Sequence, residues 1–524
     1  MKTIHNRWQR LMAYTMGGFL FCSTAFSLLS CNKVLDIDPY HAASEEQQWN
    51  KIEDARSALM GIYGLTRAAL AENNRHWVCG DLREGDFTVR YRADLKAVVT
   101  NDLLKPHALL QGVSNWKGFY AAINAASIFI EKAPQILDKD RSYAESTLKY
   151  DIAQARALRA FNYFYMVRIW GDVPLITQSY DNGSFREFDK SPAKTVLNYA
   201  KGELREVIDQ LPYQFGTTES QYYSQNPQYW QGMLFNKLSA YALLAHIAAW
   251  EGNYADVETY TQFILDNAAQ IKAAFTDIES LTEPTGLFNS ETGLEIRGSK
   301  IFALNFPFST RGAEATQSGH LEQWTLAYPL VQKTYPDIYV SKDSLYTIFK
   351  DMDDLRFGID TATHLYRNNY VMNMNAEIPV FKKINVIQNG SSKDGDYAVF
   401  GSAIVFTRLE EISLLRAEAL VALNRGAEAM DPYNDVRLTR GLGQQSYKKD
   451  FGQDDQKLLN AIFEERRKEL MGEGWRWYDQ IRRQKILQDN PTLLALIQNG
   501  GIYWPLAQEV LNNNTQLSQN DYWK

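Results

Sequence analysis

The 524-residue sequence predicts a mainly α protein: a superhelical scaffold of paired helices carrying one loop-rich, irregular face. Three observations predict it. Apolar residues recur at i, i+3, i+4 and i+7 over segments at about 45–73, 114–136, 143–170, 192–211, 233–250, 254–270, 407–424, 427–440 and 456–486. Several of these segments are joined in pairs by short turns. Between about 271 and 400 the pattern lapses into clusters of Gly, Pro, Ser, Asn and Asp, as in TEPTGLFNSETG (282–293) and NVIQNGSSKDGDY (385–397). Long irregular segments on a rigid frame commonly carry function.

From the start, MKTIHNRWQR carries Lys2, Arg7 and Arg10 without an acid, and LMAYTMGGFLFCSTAFSLLS is mostly apolar or small. Residues 1–30 thus have the layout of a secretory signal. Leu28-Leu29-Ser30-Cys31 looks like a bacterial lipobox, which predicts lipidation at Cys31; a retained signal-anchor helix is the alternative. Residues 31–43 form the expected tether, and removal of 1–30 takes the formal charge from −7 to near −10. No later segment offers some 18–20 uninterrupted apolar residues. With Cys22 removed and Cys31 acylated, only Cys79 remains, so no intramolecular disulfide is available.

The folded part is expected as one domain, 44–524, with a helical scaffold at about 44–270 and 401–524 and the loop-rich insert at 271–400. Ser44 with Gln47 forms a capping box for the first helix. Ser191-Pro192 starts another, with Pro in the first turn. LSAYALLAHIAAWEGNYADVETYTQFI (238–264) and RLEEISLLRAEALVALNRGAEAMDPYNDVR (408–437) each place small residues along one helix, then a Gly/Asn turn, then a second helix. Both are similar to tetratricopeptide helix pairs, in which small residues let neighbours approach.

Composition narrows the function. A charge of −7 argues against a general nucleic-acid binder. The seven histidines are scattered, with no His-x-x-x-His or Cys-x-x-Cys spacing, so no metal is expected. No Gly-x-Ser-x-Gly elbow, phosphate loop or dinucleotide fingerprint occurs, and no cofactor is expected. Carboxylate pairs such as Glu410-Glu411 are plentiful, and none is selected over another; a glycosidase pair need only meet in space. The expectation is a protein that is not an enzyme. Aromatic residues are abundant, 30 Tyr, 25 Phe and 12 Trp, which fits binding surfaces or bulky helix packing.

EERRKELMGEGWRWYDQIRR (464–483) poses that choice most sharply. Glu465, Glu469, Glu473 and Asp479 interleave with Arg466, Arg467, Arg476 and Arg482, while Trp475, Tyr478 and Arg482 share one helix face. Gly472 and Gly474 would admit a second backbone or break the helix. Core packing with charge pairing is the reading preferred here, and likewise for Arg159, Tyr163, Arg168 and Trp170.

A tether, CNKVLDIDP (31–39), and four motifs in order resemble one family across nearly the whole chain: AQARALRAFNYFYMVRIWGDVPLIT (153–177), RLEEISLLRAEALVALNRGAEA (408–429), the 464–483 stretch, and YWPLAQEVLNNNTQLSQNDYW (503–523). The chain resembles the SusD/RagB family of outer-membrane nutrient-binding lipoproteins of Bacteroidetes. The resemblance implies a surface-exposed, lipid-anchored protein that captures an oligosaccharide and delivers it to a SusC-type TonB-dependent transporter. A peptide ligand, as in RagB-like members, is the alternative, and a surface glycoside hydrolase a more distant one. It also implies a site on loops, with aromatic rings stacked on sugar faces and polar groups on the hydroxyls. Here those loops are NNRHWVCGDLREGDF (73–87), with Trp77, Arg83 and Asp86; about 280–335, with Phe306, Phe308, Trp324 and Tyr328; and QYYSQNPQYW (221–230), with Tyr222, Tyr223, Tyr229 and Trp230. Trp77 and Trp324 are expected to face solvent, although any of these rings could equally be locally packed.

Overall fold

Helix α1 (Ile52–Ala71) starts where Asp54 accepts a hydrogen bond from the Lys51 N–H at 3.1 Å, because residues 48–51 bend rather than extend the helix toward 45. The computed structural model describes residues 48–524 except 84, 181–185, 231, 291–297, 307–315 and 394–395, and the side chains of 228 and 229. The signal, Cys31, the tether and the Ser44–Gln47 box lie outside the described residues. Beyond α1 come α2 (Lys117–Lys132), α3 (Glu145–Trp170), α4 (Ala193–Val207), α5 (Lys237–Glu251), α6 (Tyr254–Asn267), α7 (Leu409–Ala422), α8 (Met430–Thr439), α9 (Asp455–Glu469) and α10 (Arg476–Leu487). The helices pack as neighbours: α1 on α2, α2 on α3, α3 on α4, α5 on α6, α6 on α7, and α7 on α8 and α9. The result is a tetratricopeptide-like scaffold, and Lys51–Lys524 form one compact unit.

The composition of α3 and α7 explains their central place. From Ala153 to Trp170, α3 is buried almost all round, with alanines at 153, 155, 157 and 160 admitting neighbours and Phe161, Tyr163, Tyr165 and Trp170 filling the space between. α7 is likewise buried on every side. A helix apolar on all faces belongs in a core, not at a surface.

Two expectations need correction. The segment expected as helix from 407 enters as a strand, β2 (Ile404–Arg408), paired antiparallel with β1 (Lys300–Leu304), and turns helical only at Leu409. Both strands are fully buried, so β-branched and aromatic residues pack better there in extended form. The single helix expected over 456–486 is two, because Gly472 and Gly474 each adopt a φ of +80°. A Cβ on Gly80 would overlap the Gly474 carbonyl, and one on Gly474 would overlap the His76 ring. Both expected roles of these glycines, breaking the helix and admitting another backbone, are thus realised together.

The charges of 464–483 are buried and paired. Glu469 binds Arg408 at 2.9 Å, Arg440 at 2.7 Å and Arg356 at 3.1 Å. Glu473 takes Arg408 and Lys383, while Arg466 joins Asp479 to Glu411 and Arg482 joins Asp479 to Glu418. Burial alone would raise the Glu469 carboxyl; Arg440, Arg408 and Arg356 outweigh it and hold the group well below the usual carboxylate range.

Another buried carboxylate behaves oppositely. Asp151 on α3 accepts hydrogen bonds from the hydroxyls of Tyr143 and Tyr223, both at 2.7 Å, and of Tyr222. Burial pushes it up to about 6 even though these phenols act to lower it. A raised folded value means the stabilisation is present below about pH 4 and is lost as pH rises through about 6. The wild type should therefore lose about 3 kcal/mol over that window relative to Asp151→Asn. Chemical denaturation of both proteins from pH 4 to 7 checks this; parallel stability curves would refute it.

Candidate functional site

The segment after α1 is buried from Asn74 to Arg83. Asn73 and Asn74 both take left-handed backbone angles, with φ of 55° and 51°, and turn the chain back into the core. Trp77 is 1% exposed and donates its indole N–H to the Gly472 carbonyl at 3.1 Å. Arg83 is fully buried: it donates to the carbonyls of Gly501 and Ile502 and to Asn101 Oδ1, with its guanidinium 4.6 Å from the Trp477 ring. Asp86 accepts a fork from Arg467, with contacts of 2.6 and 2.9 Å. These residues tie the N-terminal half to the 464–502 region and are withdrawn as solvent-facing site residues.

The other expected rings divide. Trp324 is 2% exposed, in a short helix Glu322–Thr325 under the Arg92 guanidinium at 5.5 Å, so its expected exposure also fails. Phe306 is buried against His320 at 4.4 Å, and Phe308 lies outside the described residues. In the 221–230 loop, Tyr222 and Trp230 are buried and Tyr223 is half-buried, since Asp151 draws the tyrosine hydroxyls inward; the Tyr229 side chain lies outside the described residues. Among the described ones of these rings, Tyr328 alone stands out, 63% exposed.

A cleft of about 440 Å³ on the insert is lined by Gln323, Gln332, Lys333, Asp396 and Tyr397, with Leu326, Val331 and Phe400; the Tyr328 ring is not part of this lining. Local pairing builds it. The Tyr328 N–H donates to the Lys333 carbonyl at 2.7 Å, which turns the 328–333 segment on itself. Val331 bridges to Ser391, and the Ser392 N–H donates to the Leu330 carbonyl at 3.0 Å, which brings the 391–400 segment alongside. Tyr397, 85% exposed, is the most open large ring described.

The cleft is chemically mixed. The Lys333 ammonium donates to the Gln323 carbonyl and to Asp337, both at 2.9 Å. Glu322, fully buried at the wall, accepts from the Ser402 hydroxyl at 2.8 Å, and burial pushes its carboxyl up to about 7. Next to Asp337, whose carbonyl accepts from the Arg90 N–H at 2.9 Å, the Arg90 guanidinium lies 3.5 Å from the Tyr335 ring and 4.6 Å from that of Tyr91. Both rings are exposed. Exposed phenols beside amides, an ammonium and a carboxylate can stack on apolar faces while bonding hydroxyls. Among the described residues no group of His, Cys, Asp and Glu is placed to hold a metal ion. Tyr397, Tyr91, Tyr335, Gln323 and Lys333 were not singled out from sequence; the one signal was Tyr397 closing the turn-rich run NGSSKDGDY.

A cavity of about 480 Å³ also opens beside α2, between Trp116, Tyr120 and Val510. Tyr180 and Arg186 of its lining flank residues outside the described set, as Asp396 of the insert cleft does; the insert cleft is preferred for the open ring of Tyr397.

Comparison with known proteins agrees with this architecture. Residues 353–523 match the SusD family, and residues 42–248 match a family described as starch-binding associating with outer membrane. A solved structure of a SusD superfamily protein from Bacteroides thetaiotaomicron is 59% identical, covers 91% of this chain and 100% of its own, and superposes with a TM-score of 0.84. A second, a SusD homologue from the same organism, is 22% identical over 90% of this chain and 99% of its own, with a TM-score of 0.71, and shows the shared fold. SusD-like protein P38 of Formosa agariphila is 26% identical over 96% of this chain and 97% of its own length. Helical scaffold, buried 464–483 motif and near full-length similarity converge, and the chain belongs to the SusD/RagB family.

Proposed function

We propose that the protein captures an oligosaccharide in the insert cleft and passes it to a SusC-type TonB-dependent transporter, acting as a binder without catalysis. The observation that carries this reading is the 440 Å³ cleft walled by the open ring of Tyr397 beside Gln323, Gln332 and Lys333. A sugar ring has apolar C–H faces and a hydroxyl rim, and this combination of an exposed phenol with Gln323, Gln332 and Lys333 suits both. The family matched over 42–248, described as starch-binding and associated with the outer membrane, supports the same reading. Lipidation at Cys31 would hold the protein at the outer membrane; no helix among the described residues is long and apolar enough to cross one. Cys31→Ala should then leave the membrane fraction, and its full retention there would count against the anchor.

A glycan array, a peptide screen and a hydrolysis assay on one preparation test the ligand class. Binding of a glycan without turnover is expected, and binding of peptides alone would overturn the proposal. With a glycan in hand, Tyr397→Ala should weaken its binding by about 1–3 kcal/mol, the scale of an aromatic hot spot. Trp77→Phe should leave affinity unchanged. Isothermal titration gives both numbers, and unaltered affinity in Tyr397→Ala would remove the cleft from consideration.

A further inference from the structure

Away from the cleft, the buried ammonium of Lys300 has no counter-charge among the described residues. Lys300 opens β1, is 4% exposed, and makes no ion pair or hydrogen bond through its ammonium with any described residue. Other fully buried cations, Arg356, Lys383, Arg408, Arg440 and Arg466, lie against a carboxylate. Burial of the unpaired ammonium pushes Lys300 down to about 8. An isolated charge in such surroundings is costly unless something compensates it.

The Lys300 side chain lines a small cavity of about 20 Å³, room for one water-sized or halide-sized particle. Gln214 and Asn236 line it too, with Phe215, Leu234 and Ile271 as apolar wall, and no described residue of the lining carries a carboxylate. Asn236 is the N-cap of the 15-residue helix α5: its Oδ1 accepts from the Ser239 N–H at 2.9 Å and hydroxyl at 3.0 Å. That fixes the amide so that its Nδ2 is turned away from the helix, and Nδ2 donates to no described residue. The helix start adds partial positive charge on the same side. A cation, two amides and a helix N-terminus around a space with no acid among the described residues form a donor set suited to an anion.

We propose that this cavity is an anion site, which holds a single small monovalent anion, chloride in ordinary media, between the Lys300 ammonium and the Asn236 and Gln214 amides. Larger oxyanions and sugar carboxylates are excluded by the volume. The anion joins β1 to the 213–236 segment and the start of α5, a seam at which the Ala303 N–H already donates to the Gly232 carbonyl at 3.1 Å. The site is independent of the oligosaccharide reading.

Bromide is the probe. Crystals grown or soaked in sodium bromide should show an anomalous peak within hydrogen-bond reach of Lys300 Nζ, and its absence at full halide concentration would overturn the proposal. In solution, replacing sodium methanesulfonate by sodium chloride or bromide at constant ionic strength should raise the melting temperature by a few degrees. Lys300→Met, close in volume, should abolish that rise. A halide-dependent rise that persists undiminished in Lys300→Met would place the ion elsewhere and also overturn the proposal. If that variant fails to fold, bromide diffraction on the unaltered protein decides alone.

Discussion

Glu469→Ala should cost about 3–5 kcal/mol of folding stability, the scale expected when one partner of a buried ion pair is removed. The carboxylate is fully buried and stands between Arg408, Arg440 and Arg356. Its loss is not shared equally. Arg356 keeps Asp354 at 2.8 Å and Glu465 at 2.6 Å, and Arg408 keeps Glu473 at 2.8 Å and Glu410 at 2.9 Å. Arg440 keeps only Glu410, at 3.5 Å, so most of the cost falls on it. A double-mutant cycle tests this directly: Arg440→Met should be far less damaging in the Glu469→Ala background than alone. Urea denaturation supplies the four stabilities. A cost under about 1 kcal/mol for Glu469→Ala would mean that the remaining carboxylates already neutralise the cluster, and additive effects would mean that Arg440 does not depend on Glu469.

The same residues show what local sequence can and cannot convey. Spacing located the helices because a helix buries a stripe that recurs every three to four residues, and that stripe is visible without knowing its partner. It also exposed the 464–483 motif as scaffold, since acids and arginines at helical spacing imply pairing. Trp77, Arg83 and Asp86 misled because NNRHWVCGDLREGDF has the composition of a surface loop, yet its donors are satisfied by carbonyls and charges nearly four hundred residues onward, at Gly472, Gly501 and Arg467. Nothing in the stretch encodes those partners. Tyr222 failed for the related reason that its attraction to Asp151 is a tertiary one. Tyr397 went unselected because a turn-rich composition marks a loop as exposed but does not rank the rings within it.

Trp475→Ala decides the role of the 464–483 motif experimentally. The indole is buried, stacked on His246 with centroids 4.6 Å apart and planes at 23°, and it packs against Phe406 at 5.8 Å and under the Arg168 guanidinium at 5.3 Å. Arg168 also lies over Tyr478 at 4.2 Å, so the ring is one wall of a slot that holds a buried cation. Truncation leaves a cavity that neighbours fixed by α3, α5 and β2 cannot close, and should cost about 3–5 kcal/mol. Trp475→Phe, which keeps a ring against His246 and Arg168, should cost clearly less. Affinity for a bound glycan in the folded fraction should not change, because Tyr397 stands on the insert. Thermal unfolding and titration on the same samples separate the alternatives: lost binding with an unchanged melting temperature would return the tryptophan to a ligand platform, whereas lost stability with intact binding identifies it as part of the frame.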